Sequence, residues 1–450
     1  MMNLQCKVKL VGVLGLCCFI VFVVSIVKDL FKKLVDDQIK EQMVLKFSKP
    51  DEVYQNWKEP PIPVYIQFFF FHIENRLEVL QGERPYVRQI GPYTYKELRP
   101  RVNISLFENA TISASTSRTY ILDLTMSVGD PKKDRITTIN IPFVTLLQML
   151  KYTGPSEHVI ASLISILKSE MLFQTRTVDE LLWGYEDPLL KLGHKFFPSI
   201  IPHSRFGLFY GVNGTSDGEY LFNTGKNDYM KFTKIILWKG QKSMYAVFEK
   251  ELEVQGIRAY RFIIPKEIFA NATENPDNKG FCTPPGNCQP GGVQNVSICK
   301  QGAPIFISSP HFYNGDQKLV EDIDGLNPSK EAHQTFLDIE PRTGIPVRIA
   351  KRLQLNIHVE TVPNIVQTGK IRTMFLPVLF LNESALIDDN SATRLKTKIH
   401  EMNILLSVPY IILSIGGLLC LICIILFFVA VRCNRSEESI PILSKLKETN

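Results

Sequence analysis

Nine cysteines, eight histidines, a set of N-x-S/T sequons and one acidic run ending in two apolar residues could do chemistry in this sequence. Cys6, Cys17, Cys18, Cys420, Cys423 and Cys433 lie in or beside two apolar runs, whereas Cys282, Cys288 and Cys299 lie between them. Thiols pair in oxidising compartments, and three is odd, so at least one of the latter has no partner there. Cys6 and Cys433 stand where juxtamembrane thiols are acylated. The histidines, His72, His158, His194, His203, His311, His333, His358 and His400, are scattered rather than spaced as metal ligands. Sequons occur at Asn103, Asn109, Asn213, Asn271, Asn295 and Asn382, with a seventh at Asn434. Near the C-terminus, Glu438-Ser439-Ile440-Pro441-Ile442-Leu443 places a carboxylate four and five positions before two branched apolar side chains. That spacing suits an adaptor that offers a basic patch and a hydrophobic slot, with Pro441 keeping the segment extended.

Catalytic patterns are missing. No HExxH, GxSxG, P-loop, GxGxxG after a strand or CxxC pair between the apolar runs is present. An enzyme is not expected, nor a metal or cofactor. The net charge of +6 is not gathered into a basic patch with interleaved aromatics, so nucleic acid is not expected as a partner.

The elements that must position these residues are set by the two apolar runs. Leu10–Val27 has 18 residues without a charge and Ile404–Val431 has 28. A bilayer core needs roughly 20 apolar residues in a helix, so both are expected to span. The first run is longer than a signal h-region and lacks an A-x-A cleavage pattern. Lys7, Lys9, Arg432 and Arg435 flank the runs on their outer sides, which puts both termini in the cytosol. The expected organisation is residues 1–9 cytosolic, 10–27 spanning, 28–403 luminal and glycosylated, 404–431 spanning, and 432–450 a cytosolic tail. Six sequons in the middle segment agree with that placement.

Within that segment, Asp29–Phe47 has the apolar spacing of a stalk helix. Val64–Phe71, aromatic and β-branched, reads as a strand buried on both faces. Gly91-Pro92 reads as a turn and Ile112–Leu124 as a strand. Residues 142–192 are helical in pattern: a stripe from Phe143 to Leu150, a second from Val159 to Met171, and a capping box of Thr177 with Glu180. Short strands resume from Phe206 to Phe380. The class is α+β, mostly antiparallel β with an inserted helical cluster.

Ordered motifs then carry a resemblance across nearly the whole chain: PPIPVYIQFFFF (60–71), IGPYTYKELR (90–99), SVGDPKKD (127–134), TVDELLWGYEDP (177–188), FGLFYGVNGTSDGEY (206–220), GFCTPPGNC (280–288), VQNVSICKQGAPI (293–305), TFLDIEPRTGI (335–345) and AKRLQLNI (350–357). The sequence resembles the class B scavenger receptor family, and the ESIPIL tail (438–443) resembles that of its lysosomal branch. The resemblance implies a two-span membrane hairpin with a large luminal antiparallel β-barrel-like domain, a helical bundle as a cap, and a lipid tunnel toward the bilayer. It implies a sorting receptor for acid β-glucosidase (glucocerebrosidase) in the lysosomal membrane, clathrin adaptor complexes on the tail, and bound lipid or cholesterol. The alternative is a cell-surface scavenger receptor for lipids or lipoproteins. Oligomeric state is left open.

Residue roles implied in this way are cargo binding by Val159, Ile160, Leu163, Ile164 and Leu167 on the cap, and a disulfide between Cys282 and Cys288. Family members carry a longer stretch, with the partner cysteine of Cys299, where Lys239–Ser243 stands here. Cys299 is therefore expected to be unpaired, and the shortening to expose sheet edges. An acid switch in the cap calls for a histidine, and His158 is the nearest.

Overall fold

The structure, a computed structural model, describes residues 51–60, 62–153, 171–196, 198, 201–228, 231, 234–238, 245–284, 286–300, 302–362 and 365–438, with 44–47 and scattered positions between 19 and 37. The chain divides into two units, one of residues 45–227 and 231–389, the other of residues 1–44, 228–230 and 390–450.

The first unit is built on strands. They are β1 Val64–Ile73, β2 Val87–Leu98, β3 Arg101–Leu106, β4 Thr111–Asp123, β5 Arg135–Ile139, β6 Phe173–Thr177, β7 Tyr185–Glu186, β8 Arg205–Phe206 and β9 Thr215–Asn223. After these come β10 Ile235–Trp238, β11 Val247–Val254, β12 Ile257–Ile263, β13 Val293–Asn295, β14 Ile305–Ser308, β15 Phe336–Ile339, β16 Pro346–Val359 and β17 Met374–Leu386. Thirteen of them form one antiparallel sheet, with the main path β10-β9-β4-β2-β1-β17-β16-β15-β12-β11. The phenylalanine run forms β1, near the middle of that path, and pairs with β2 and β17. Its burial alternates: Ile66, Phe68 and Phe70 are fully covered, while Gln67 and Phe69 are half-buried. Toward its end both faces are sealed, since Phe71 and Ile73, on the side of Phe69, are as buried as Phe70; Phe69 itself stacks on Phe380 at 4.8 Å.

The expected barrel is not closed. The ends of its main path are β10 and β11, which share no ladder among the described residues, and eight residues separate them in sequence. The same short connection limits how flat the sheet can be. Ten strands about 4.8 Å apart would put the edges roughly 43 Å apart. The nine steps from Trp238 to Val247 reach at most about 32 Å. The sheet therefore curls and stays open.

Residues 142–192 are not helical throughout, since β6 and β7 interrupt them, but helices do occur among them. Ile141–Thr153 is α1, with Phe143, Val144 and Leu147 buried. Val178–Trp183 is α2; Thr177 accepts from the Glu180 N–H, and the Glu180 carboxylate accepts from the Thr177 N–H. That box aims α2 so that Trp183 lies against Tyr95 and Tyr120, its indole N–H donating to the Tyr95 hydroxyl at 3.1 Å. Pro188–Phe196 is α3. The second stripe, from Val159 to Leu167, lies outside the described residues.

Two expectations are corrected. Gly91-Pro92 is not a turn but a bulge inside β2, where pairing with β1 shifts register between Phe68 and Phe70. Residues 44–47 are not helical; the Leu45 N–H instead donates to the Thr224 carbonyl and the side chain is buried with Trp57 and Phe222.

In the second unit, Asp389–Glu438 forms one helix, α4, that includes the second apolar run. Among the described residues it is the one helix long and apolar enough to cross a membrane. It continues past the run through Arg432 and Arg435 to Glu438, so the start of the tail is helical rather than extended. The apolar run already nucleates the helix, and basic residues near its C-terminus favour the macrodipole. The first apolar run lies almost entirely outside the described residues.

Candidate functional site: a charged, apolar-walled cleft

One end of the sheet holds a cleft of about 840 Å³. This falls within the roughly 300–1,000 Å³ of small-ligand sites. Strands β1, β2, β4, β9, β10, β16 and β17 contribute to its lining. Its apolar wall includes Ile62, Val64, Leu98, Phe222, Ile235, Val347, Ile349 and Ile387.

Charges enter this wall because strand pairing brings them together. Glu97 of β2 and Glu383 of β17 lie on either side of β1, opposite Val64 and Ile66 respectively. Arg99 bridges both carboxylates, at 2.7 Å to Glu97 and 2.5 Å to Glu383. Lys351, directly across β16 from Glu383, approaches it at 3.5 Å. Arg118 of β4 reaches Glu97 at 3.6 Å and also pairs with Asp217, which accepts from the Tyr220 hydroxyl at 2.5 Å. The Glu97 side chain is fully covered. Burial alone would raise the Glu383 pKa, but Lys351 and Arg99 outweigh it and hold the carboxyl down at about 2. Burial also works against the Arg118 charge, and Asp217, Glu383 and Glu97 reverse that. A buried network of this kind holds together only if every member is paired.

Arg101, at the start of β3, lines the same cleft without a carboxylate. Its Nη1 donates to the Trp57 carbonyl, and its Cζ lies 4.8 Å from the Trp57 ring centroid and 5.2 Å from that of Phe222. Trp57 comes from a short helix, Glu52–Lys58, capped by Asp51. Burial, with Arg99 adding to it, pushes the Arg101 pKa down to about 10.

The residues singled out from sequence lie elsewhere. Cys282 and Cys288 form a disulfide with Cα atoms 4.3 Å apart. Cys299 lies in a 3-10 turn, Ser297–Lys300. Asn103, Asn109 and Asn213 are exposed, whereas Asn271, Asn295 and Asn382 are half-buried. Asn382 donates to Gln67 and Asn295 to the Thr283 carbonyl. Glu438 ends α4. His158, Val159, Ile160, Leu163, Ile164, Leu167, Ile442 and Leu443 lie outside the described residues. Among the described residues no cluster of His, Cys, Asp or Glu could hold a metal ion. Glu97, Arg99, Arg101, Arg118 and Glu383 escaped sequence reasoning; the available signal was a carboxylate inside an apolar strand, as in Met374–Leu386.

Comparison with known proteins agrees on one family. The chain is 43% identical to lysosome membrane protein 2 of Rattus norvegicus, over 92% of this chain and 93% of that protein. It is 42% identical to lysosome membrane protein 2 of Homo sapiens over the same shares. Scavenger receptor class B member 1 of Rattus norvegicus is 33% identical over 92% of this chain and 88% of its own length. The alignment to the rat lysosomal protein spans 453 positions, more than 92% of 450 residues can fill, so that relative carries residues with no counterpart here. The CD36 family model matches in two pieces, residues 13–245 and 241–427, which meet where β10 and β11 are joined by their short connection. The chain belongs to the CD36 family, that of the class B scavenger receptors.

Proposed function

We propose that this protein is a lysosomal membrane glycoprotein that sorts acid β-glucosidase (glucocerebrosidase) and offers lipid, cholesterol included, a passage through its luminal domain. The observation that carries this reading is the likeness over 92% of the chain to lysosome membrane protein 2, joined to the ESIPIL tail. In this reading both apolar runs span, both termini are cytosolic, and the tail recruits clathrin adaptor complexes through Glu438, Ile442 and Leu443. The stripe Val159, Ile160, Leu163, Ile164 and Leu167 meets the cargo, and His158 serves its release in acid. The six sequons between the apolar runs carry glycans, and Asn434 in the tail stays bare. The cleft supports the lipid part: it is apolar-walled, and β17, which lines it, runs directly into α4. The protein is a receptor and not an enzyme.

Replacing Ile442 and Leu443 by Ala is expected to move the protein from lysosomes to the plasma membrane in imaging of intact cells. Accumulation in lysosomes at parental levels would reject the sorting reading. The second reading, a cell-surface scavenger receptor, is favoured by the 33% identity to scavenger receptor class B member 1, and it would then take precedence. Ile160→Asp or Ile164→Asp is expected to abolish pull-down of the enzyme while leaving the protein folded.

A further inference from the structure

We propose that two copies of this chain complete each other's sheet, β10 of each copy pairing with β11 of the other. The pairing is independent of cargo and of lipid.

Strand direction gives the first support. Each strand of the main path is antiparallel to its neighbour, and the path has ten strands, so β10 and β11 at its two ends run in opposite directions. A two-fold axis along the strands then sets β10 of one copy antiparallel to β11 of the other, twice over. Such an axis keeps the C-terminal ends of both β17 strands on one side, as two chains anchored in the same bilayer require. Within one copy β10 and β11 share no ladder among the described residues. The eight residues that join them form a short connection of the kind that favours exchange between copies.

Residue chemistry gives the second support. The four residues of β10, Ile235–Trp238, include neither a charge nor a proline to blunt an edge. Ile235 and Ile236 are exposed. Only the start of β11 is apolar: Val247 and Phe248 are exposed, and edge-on contacts with Tyr260 and Phe262 hold the Phe248 ring in place. Glu249, Lys250, Glu251 and Glu253 follow. Setting Ile235 opposite Phe248 and Ile236 opposite Val247 matches apolar with apolar, and it brings Lys234 opposite Glu249. One carboxylate oxygen of Glu249 takes Lys330, and the other has no hydrogen-bond partner among the described residues. Like edges do not match in this way. Pairing β11 with β11 of a second copy about Glu251 would oppose Glu249 to Glu253. The acidic half of β11 therefore rejects its own copy, while its apolar half accepts β10.

The test co-expresses two differently tagged full-length chains, one carrying Ile235→Cys and the other Phe248→Cys, and oxidises isolated membranes with copper phenanthroline. A reducible dimer that contains both tags is expected, with the link mapped by mass spectrometry to the peptides that hold positions 235 and 248. It should be at least tenfold more abundant than the dimer from either substitution alone. Adding Ile236→Lys to both chains should abolish it. A mixed dimer no more abundant than the single-substitution controls overturns the proposal, as does a link that survives Ile236→Lys. A chain carrying both cysteine substitutions that links only within itself also overturns it, since the sheet would then close on its own. Should the variants fail to fold, the mass of the unsubstituted chain in detergent decides, and a monomer at micromolar concentration overturns the assignment.

Discussion

The imidazole rings of His311 and His333 lie face to face, 4.4 Å between centroids and 17° from parallel. Both are buried, and each Nδ1 accepts a backbone N–H, from Asn327 for His311 and from Ser329 for His333. Protonation would spoil both bonds. Burial, aided by the neighbouring ring for His311 and by Arg352 for His333, lowers each pKa to about 4. Folding therefore favours the neutral rings. Stability is intact above the unfolded value near 6.5 and is lost as pH falls toward 4. By pH 5 the loss is about 2 kcal/mol per ring if they act separately. Denaturant midpoints should fall between pH 7 and pH 5, and His333→Asn should flatten that slope.

The Glu383 network should hold in mild acid, where the histidine pair does not. With its pKa held near 2 by Lys351 and Arg99 against burial, Glu383 contributes about 3 kcal/mol above its unfolded pKa. That contribution is lost only as pH drops below about 4.5 toward 2. Glu383→Gln should lower stability by about 3 kcal/mol at both pH 7 and pH 5, read from the same midpoints.

Gly91 has φ +149°, and a Cβ there would stand 2.6 Å from the Phe68 carbonyl oxygen and 2.9 Å from the Phe69 Cα. Both neighbours are backbone atoms of the central strand, so neither can turn aside. Gly91→Ala should cost about 3 kcal/mol, measurable as a lower thermal midpoint.

Peptide mapping without reductant should recover Cys282 and Cys288 joined, and Cys299 alkylated by a thiol reagent. A Cys282–Cys299 link would contradict the pairing. The bond closes a short loop, so reduction should cost only about 2 kcal/mol.

Legibility followed the range of each signal. The capping box at Thr177 and Glu180 and the run in β1 are local, and both stand as read. Gly91-Pro92 carries local turn chemistry, but β1 alongside it imposes a strand. The short strands expected between Phe206 and Phe380 include one long one, β16, because strand pairing carries it through Lys351 and Arg352, which interrupt the apolar pattern; Lys351 is exposed toward Glu383 and Arg352 donates to the Gln334 carbonyl. Arg101 was illegible for a stronger reason. Its surroundings come from Trp57 before it and Phe222 far after it, and no window contains all three.

The pairing of β1 with β17, Val64 against Ala385, also bears on how the protein is made. During synthesis β2 can join β1 early, but the other edge of β1 waits for the last strand. At 5–20 residues per second that wait is roughly 15–60 s. Throughout it, a phenylalanine-rich strand stands at the margin of a half-built sheet with its backbone groups unpaired. That margin has no partner strand until the ribosome has passed residue 386, and a nascent chain cut short before then keeps an adhesive edge.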